Sequence, residues 1–180
     1  MTEDHQPPIL SRPLKVDEIR DGADGEIVVT GPELEAVANL LDLVALDRLT
    51  FAYRLARGGG RLLLTGTLNA DAKQTCVVSL EPVEARLEVP VDLEFWPAEL
   101  LPPPERDAAD AGGAGVLDWP EAIRDGKIDL GPVIYESLAT ALDPYPRRPE
   151  ARFDWPQGDR AEGEGAGSGP FASLAALKRL

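Results

Sequence analysis

The stretch LTFAYRLARGGGRLLLTGTLNADAKQTCVVSLEPVEARLEVPVDLEFW, residues 49–96, decides the fold class. Leu49, Phe51, Tyr53 and Leu55 alternate with Thr50, Ala52 and Arg54, the period-two pattern of a half-buried strand. Gly58-Gly59-Gly60 is a tight reversal, and Leu62, Leu64, Gly66 and Leu68 alternate beyond it, so the two runs form a hairpin. Asn69 to Asp71 reads as the next turn, Lys73 to Ser79 as a third strand containing Cys76, and Glu81-Pro82 as a further turn. The last run is the longest. Ala85, Leu87, Val89, Val91, Leu93 and Phe95 share one face, and Glu84, Arg86, Glu88, Asp92 and Glu94 share the other, with Pro90 on the outer side as in an edge strand or bulge. Such alternation indicates an antiparallel meander with one wet face.

Upstream, residues 1–8 are polar with two prolines and read as a disordered start. Ile9 to Val16 reads as an opening strand, Asp21 to Gly25 as a turn, and Glu26 to Thr30 as a β-branched strand. Thr30-Gly31-Pro32-Glu33 supplies a capping hydroxyl, an early proline and a glutamate three residues after the threonine. Leu34, Val37, Ala38, Leu41, Val44 and Ala45 then place one apolar stripe on a helix ending near Asp47. Downstream, residues 98–115 carry three consecutive prolines and an acidic, Ala/Gly-rich run, which reads as a disordered loop. Order is expected to return at Val116 to Trp119. Asp129 caps a second helix whose buried stripe is Leu130, Val133, Ile134, Ser137, Leu138, Ala141 and Leu142. The expected organisation is an α+β domain over residues 9–155, an antiparallel meander of about four to six strands packed on one face by helices near 32–47 and 130–142. A flexible linker over 156–170 and a terminal motif over 171–180 follow.

Composition narrows the chemistry. The chain has 180 residues with 32 acidic and 18 basic side chains, a net charge of −14. Phosphate contacts need Lys and Arg, so this balance opposes tight binding of bare RNA and favours basic partners. One histidine, His5, and one cysteine, Cys76, cannot build a zinc site or an intrachain disulfide. No cofactor is expected. The chain shows no signal-peptide pattern and no stretch of about 20 apolar residues that would span a bilayer, so it reads as cytoplasmic. The alternating glycines at 163, 165, 167 and 169 lack the strand and capped helix of a phosphate loop and read as linker. Glu84, Glu88, Asp92 and Glu94 at strand spacing read as a solvated face rather than as an acid/base pair. Cys76 reads as a buried structural residue in mid-strand.

Two segments remain as binding candidates. Arg147, Arg148 and Arg152 lie among Tyr145, Phe153 and Trp155. Arginines interleaved with aromatic rings can hold RNA by stacking, and can equally pin a proline-rich arm to the domain surface. Phe171, Leu174 and Leu177 fall at i, i+3 and i+6, followed by Lys178 and Arg179, the anchor pattern of a short docking helix.

Three blocks in order, TGTLNADAKQTCVVSLEPVEARLEVPVDLEF (65–95), GKIDLGPVIYESLATALDPYPRRP (126–149) and GPFASLAALKRL (169–180), resemble the bacterial YceD family of large ribosomal RNA subunit accumulation proteins, in its alphaproteobacterial form. The resemblance runs from about residue 10 to residue 180, the gap regions excepted. It implies a non-enzymatic role in accumulating the large-subunit (23S) ribosomal RNA. Phe171, Leu174, Leu177, Lys178 and Arg179 stand on the family's terminal Pro-Phe-x-x-Leu-x-x-Leu-Lys pattern. Many members carry Cys-x-x-Cys where this chain has Cys76-Val77-Val78-Ser79, so any metal or redox role of that pair does not transfer. The expected partner is a basic ribosomal protein or a pre-ribosomal particle, with weak direct RNA binding at most and no membrane. The alternative is a carboxylate-based Mg-dependent enzyme of unrecognised class, which needs oxygen ligands only.

Overall fold

In a computed structural model the described residues are 9–101 and 120–152. Seven strands and two α-helices form an α+β fold: β1 (Pro13–Lys15), β2 (Ala23–Val29), α1 (Pro32–Leu40), β3 (Ala45–Gly58), β4 (Arg61–Thr75), β5 (Pro82–Pro97), β6 (Glu121–Ile123), β7 (Lys127–Asp129) and α2 (Leu130–Ala141). The main sheet has the order β2-β3-β4-β5-β6, antiparallel except for the parallel β5–β6 pair. A separate ribbon pairs β1 with β7.

The core is the inner face of that sheet. Register brings Val29 beside Leu49 and Ala70, and Ile27 beside Phe51 and Leu68. Leu49, Phe51, Leu55, Leu64 and Leu68 are fully buried, as are Leu130, Ile134 and Leu138 of α2. Asp129 caps α2 as expected, its carboxylate accepting from the Gly131 amide at 2.9 Å. Gly59 and Gly60 make the β3–β4 reversal with φ of 58° and 85°, the left-handed pair that a two-residue hairpin of matching twist requires. Gly66 serves a different end. A Cβ there would stand 2.6 Å from the Ala52 carbonyl oxygen and 2.8 Å from the Phe51 ring, so glycine gives Phe51 its place over the sheet.

The structure corrects several sequence expectations. β4 runs unbroken through Asn69 to Asp71, because Asn69 and Asp71 lie on the wet face and Ala70 points inward, so the polar pair keeps the strand period. There is accordingly no separate strand from Lys73 to Ser79, and Cys76 lies just past the end of β4 instead of in mid-strand. The helix α1 stops at Leu40, where Asp42 takes a left-handed φ of 51°, and Ala45 opens β3. A register shift between Leu46 and Arg48 then lets both Leu46 and Leu49 face inward. Gly31, not Thr30, is the N-cap of α1, and no side chain caps it. Glu33 instead accepts from the Arg12 guanidinium at 2.9 Å, tying α1 to the N-terminal segment. The opening strand is only Pro13–Lys15, and the expected turn at 21–25 shortens because β2 begins at Ala23. Ala98–Leu100 forms a short 3-10 helix inside the expected loop. The expected disorder of residues 1–8, the rest of that loop, the return of order at Val116, the linker and the terminal motif all fall wholly or largely outside the described residues.

Candidate binding surfaces

Two surfaces stand out by chemistry. The first is the outer face of the main sheet. Side chains alternate along a strand, so the neighbours of the buried residues on β5 are Glu84, Arg86, Glu88, Pro90, Asp92 and Glu94, all exposed. Four of these six are acidic and one is basic. On β4 and β3 the adjoining outer positions include Thr65, Thr67 and Asn69 beside Ala52 and Thr50, with Lys73 opposite Glu84 and the exposed Arg54 opposite Thr65. At one end of the acidic row a shallow depression of about 320 Å³ is lined by Asp47, Arg48, Asp71, Lys73, Glu84 and Arg86. There Arg48 pairs with Asp71 at 2.8 Å and Lys73 with Asp47 at 3.0 Å, and the Arg48 guanidinium holds the Asp71 carboxyl below its ordinary range. At the other end Trp96 donates to Glu94 at 2.6 Å and carries the Arg61 guanidinium over its ring at 3.6 Å. Among the described residues no three His, Cys, Asp or Glu side chains gather as a metal-holding group.

The second surface is the loop from Cys76 to Glu81 with the arm after α2. The loop closes on itself, Cys76 donating its amide to the Glu81 carbonyl at 2.9 Å and Leu80 to the Cys76 carbonyl at 3.0 Å. The arm is fastened to it along its length. Val77 donates to the buried Pro146 carbonyl at 2.9 Å, the Gln74 amide side chain donates to the Asp143 carbonyl at 2.8 Å, and Arg148 pairs with Glu81 and Glu150. Arg147 and Arg152 are exposed on the same arm. Sequence reasoning places the three arginines together but misses Gln74, Val77 and Glu81 as fasteners, since nothing in local spacing links residues about 70 apart. Leu80 in the loop has a left-handed φ of 60° and is 76% exposed, and Tyr145 in the arm is 71% exposed.

Cys76 is fully buried beneath this unit. Its sulfur accepts the Ser79 amide at 3.4 Å. Hydrogen bonds from Ser79 foremost, with the Arg148 and Val78 amides adding to them against desolvation, lower the thiol to about 6 from an ordinary 9.0. A group lowered on folding stabilises the native state fully above its unfolded value, and that contribution is lost as pH falls through the folded value. Thiolate absorbance near 240 nm is therefore expected to titrate near pH 6 and to vanish in Cys76→Ser, whose stability lacks the native chain's rise between pH 6 and 9. A midpoint near 9 would contradict the hydrogen-bonded thiolate.

A third feature is a recess of about 470 Å³ bordered by Phe95, Glu121, Arg124, Lys127, Asp129 and Glu136. Burial first, and then the Glu136 charge, push Glu121 above the ordinary carboxylate range.

The strand and loop that build the first two surfaces are the part of the chain with a match among known families. Residues 64–178 match the family described as large ribosomal RNA subunit accumulation protein YceD. The chain belongs to the YceD family. That match begins at Leu64, inside β4, and takes in the acidic row of β5, the Cys76 loop, α2 and the arm. The YceD name ties the chain to accumulation of the large-subunit ribosomal RNA, and the family is described by that role and by no reaction. A search of curated proteins found no match, and a search of solved structures found none. No helix among the described residues is long and apolar enough to cross a membrane. Phe171, Leu174, Leu177, Lys178 and Arg179 lie outside the described residues.

Proposed function

We propose that this YceD-family chain is a non-enzymatic, cytoplasmic assembly factor that supports 23S rRNA accumulation by binding a basic ribosomal protein or a pre-ribosomal particle. The observation that carries this reading is the exposed acidic row of β5, four carboxylates against the single Arg86, on a chain of net charge −14. A surface of that sign attracts Lys- and Arg-rich protein and repels bare phosphate. Chemistry is absent from the proposal because the row is laid out along a strand, where successive carboxylates project side by side into solvent instead of converging on one point. The segment with Phe171, Leu174, Leu177, Lys178 and Arg179 serves as a second, apolar and basic anchor for the same partner, and Arg147 and Arg152 are free to touch rRNA once the particle is engaged.

Deletion of residues 171–180 tests the anchor. The expected result is an unchanged melting temperature with loss of co-sedimentation with large-subunit precursors. A marked fall in melting temperature, with co-sedimentation intact, would assign the segment to the domain's own packing.

A further inference from the structure

We propose that the free edge of β5 from Pro82 to Val89 accepts an added β-strand from a protein partner, an extended segment that alternates apolar residues with basic ones. β5 pairs with β4 along its whole length, from Pro82 opposite Thr75 to Phe95 opposite Leu62. On its other side, among the described residues, only Phe95–Pro97 are matched, by β6. An edge strand presents unpaired backbone donors and acceptors, which template a further strand. Pro90 has no amide to donate and stops the template, leaving the eight residues Pro82–Val89, of which Pro82 offers only its carbonyl, as one row about 26 Å long.

Burial across the sheet shows what such a strand would cover. On β4 the inner residues Leu68, Ala70 and Ala72 are buried. Their β5 partners Val89, Leu87 and Ala85 are only half-buried, as is Val83 opposite Gln74, so the apolar layer thins at this edge. Apolar residues at alternate positions of an incoming strand would continue that layer. On the opposite face its side chains would stand beside Glu84, Arg86 and Glu88, all exposed. Asp71, the β4 partner of Arg86, already feels the charge of that arginine. Lys73, the β4 partner of Glu84, likewise feels that carboxylate, whereas Glu88 faces the neutral Asn69, so Glu88 first and Glu84 second select the incoming strand, directly opposed pairs of unlike charge being favourable where like charges are not. The occupant the edge fits has Lys or Arg four residues apart, a neutral or acidic residue between them, and apolar residues at the intervening positions. The inference rests on the assembly reading in taking its occupant from a basic protein.

The test uses the full chain and two labelled ten-residue peptides that alternate valine with polar positions, one with lysines four residues apart and one with glutamates in their place. Two cross-strand pairs changing sign amount to roughly tenfold in affinity. The native chain is expected to prefer the lysine peptide by about that factor, with new exchange protection at the alternate Val83–Val89 amides that face away from β4, and Glu84→Lys/Glu88→Lys is expected to reverse the preference. Both substitutions lie on the exposed face and leave the core intact. Equal binding of the two peptides, an unreversed preference, or protection in the free chain of those alternate Val83–Val89 amides that face away from β4 would overturn the edge proposal, the last by showing the edge filled by the chain itself. Co-sedimentation separates the two readings. If the native chain joins large-subunit precursors but shows no preference between the two peptides, the edge fails and the assembly role stands. If the native chain selects the peptide but never joins the precursors, the assembly role fails and the edge stands.

Discussion

Replacing Gly131 by alanine is expected to destabilise the protein by about 3.5 to 6 kcal/mol, although the change adds one methyl group. A Cβ at this position would stand 2.1 Å from the Leu10 carbonyl oxygen, 2.5 Å from the Leu10 carbonyl carbon and 2.8 Å from the Ser11 Cα. All three are backbone atoms, so no rotamer change relieves the collision. The N-terminal segment lies over the first turn of α2 because Asp129 holds it there, accepting from the Arg12 amide at 2.6 Å and the Ser11 hydroxyl at 2.7 Å while also capping α2. Leu130 returns a bond to the Arg12 carbonyl at 3.2 Å, and Pro13 to Lys15 pair with β7. Lifting the segment exposes Leu10, now 2% exposed, which alone accounts for about 1.5 to 3 kcal/mol. Loss of two or three hydrogen bonds at about 1 kcal/mol each supplies the rest. Denaturant unfolding measures the change. Gly58→Ala is the control, because nothing lies within 4 Å of its Cβ and its φ is not left-handed, and it is expected to shift stability by less than about 1 kcal/mol. A Gly131→Ala protein within 1 kcal/mol of the native chain would mean that the N-terminal segment is not held against α2.

Periodicity made the inner face legible before any coordinates. The alternation from Leu49 to Leu55, from Leu62 to Leu68 and from Ala85 to Phe95 is the core of the main sheet, and Asp129 with its following stripe is α2 as read. Failures arose where two local signals compete. Asn69 and Asp71 are turn formers by residue type, but both occupy solvent positions of a long strand, where type matters less than period. Val44 and Ala45 fit a helical stripe by spacing, yet the left-handed Asp42 ends the helix before them. The β1–β7 pairing and the parallel β5–β6 contact join residues that no local window contains. The acidic row was legible as the polar phase of the last strand, and its exposure follows from the same alternation. By contrast, the Cys76 loop reads as part of a strand because Val77 and Val78 are β-branched. Its fastening to the arm, through Pro146 and Arg148, joins residues far apart along the chain.

The central claim, that this YceD-family chain joins the large subunit through protein rather than bare nucleic acid, meets its most direct test in one comparison. The purified full chain is titrated at physiological salt against protein-free 23S rRNA and against large-subunit precursor particles retaining their ribosomal proteins. With −14 net charges, naked rRNA is expected to bind only weakly, and particles at least about a hundredfold more tightly, because the basic ribosomal proteins rather than the phosphates meet the acidic face. Submicromolar binding to protein-free rRNA that falls steeply between about 50 and 200 mM salt would contradict the account and make Arg147, Arg148 and Arg152 the binding surface.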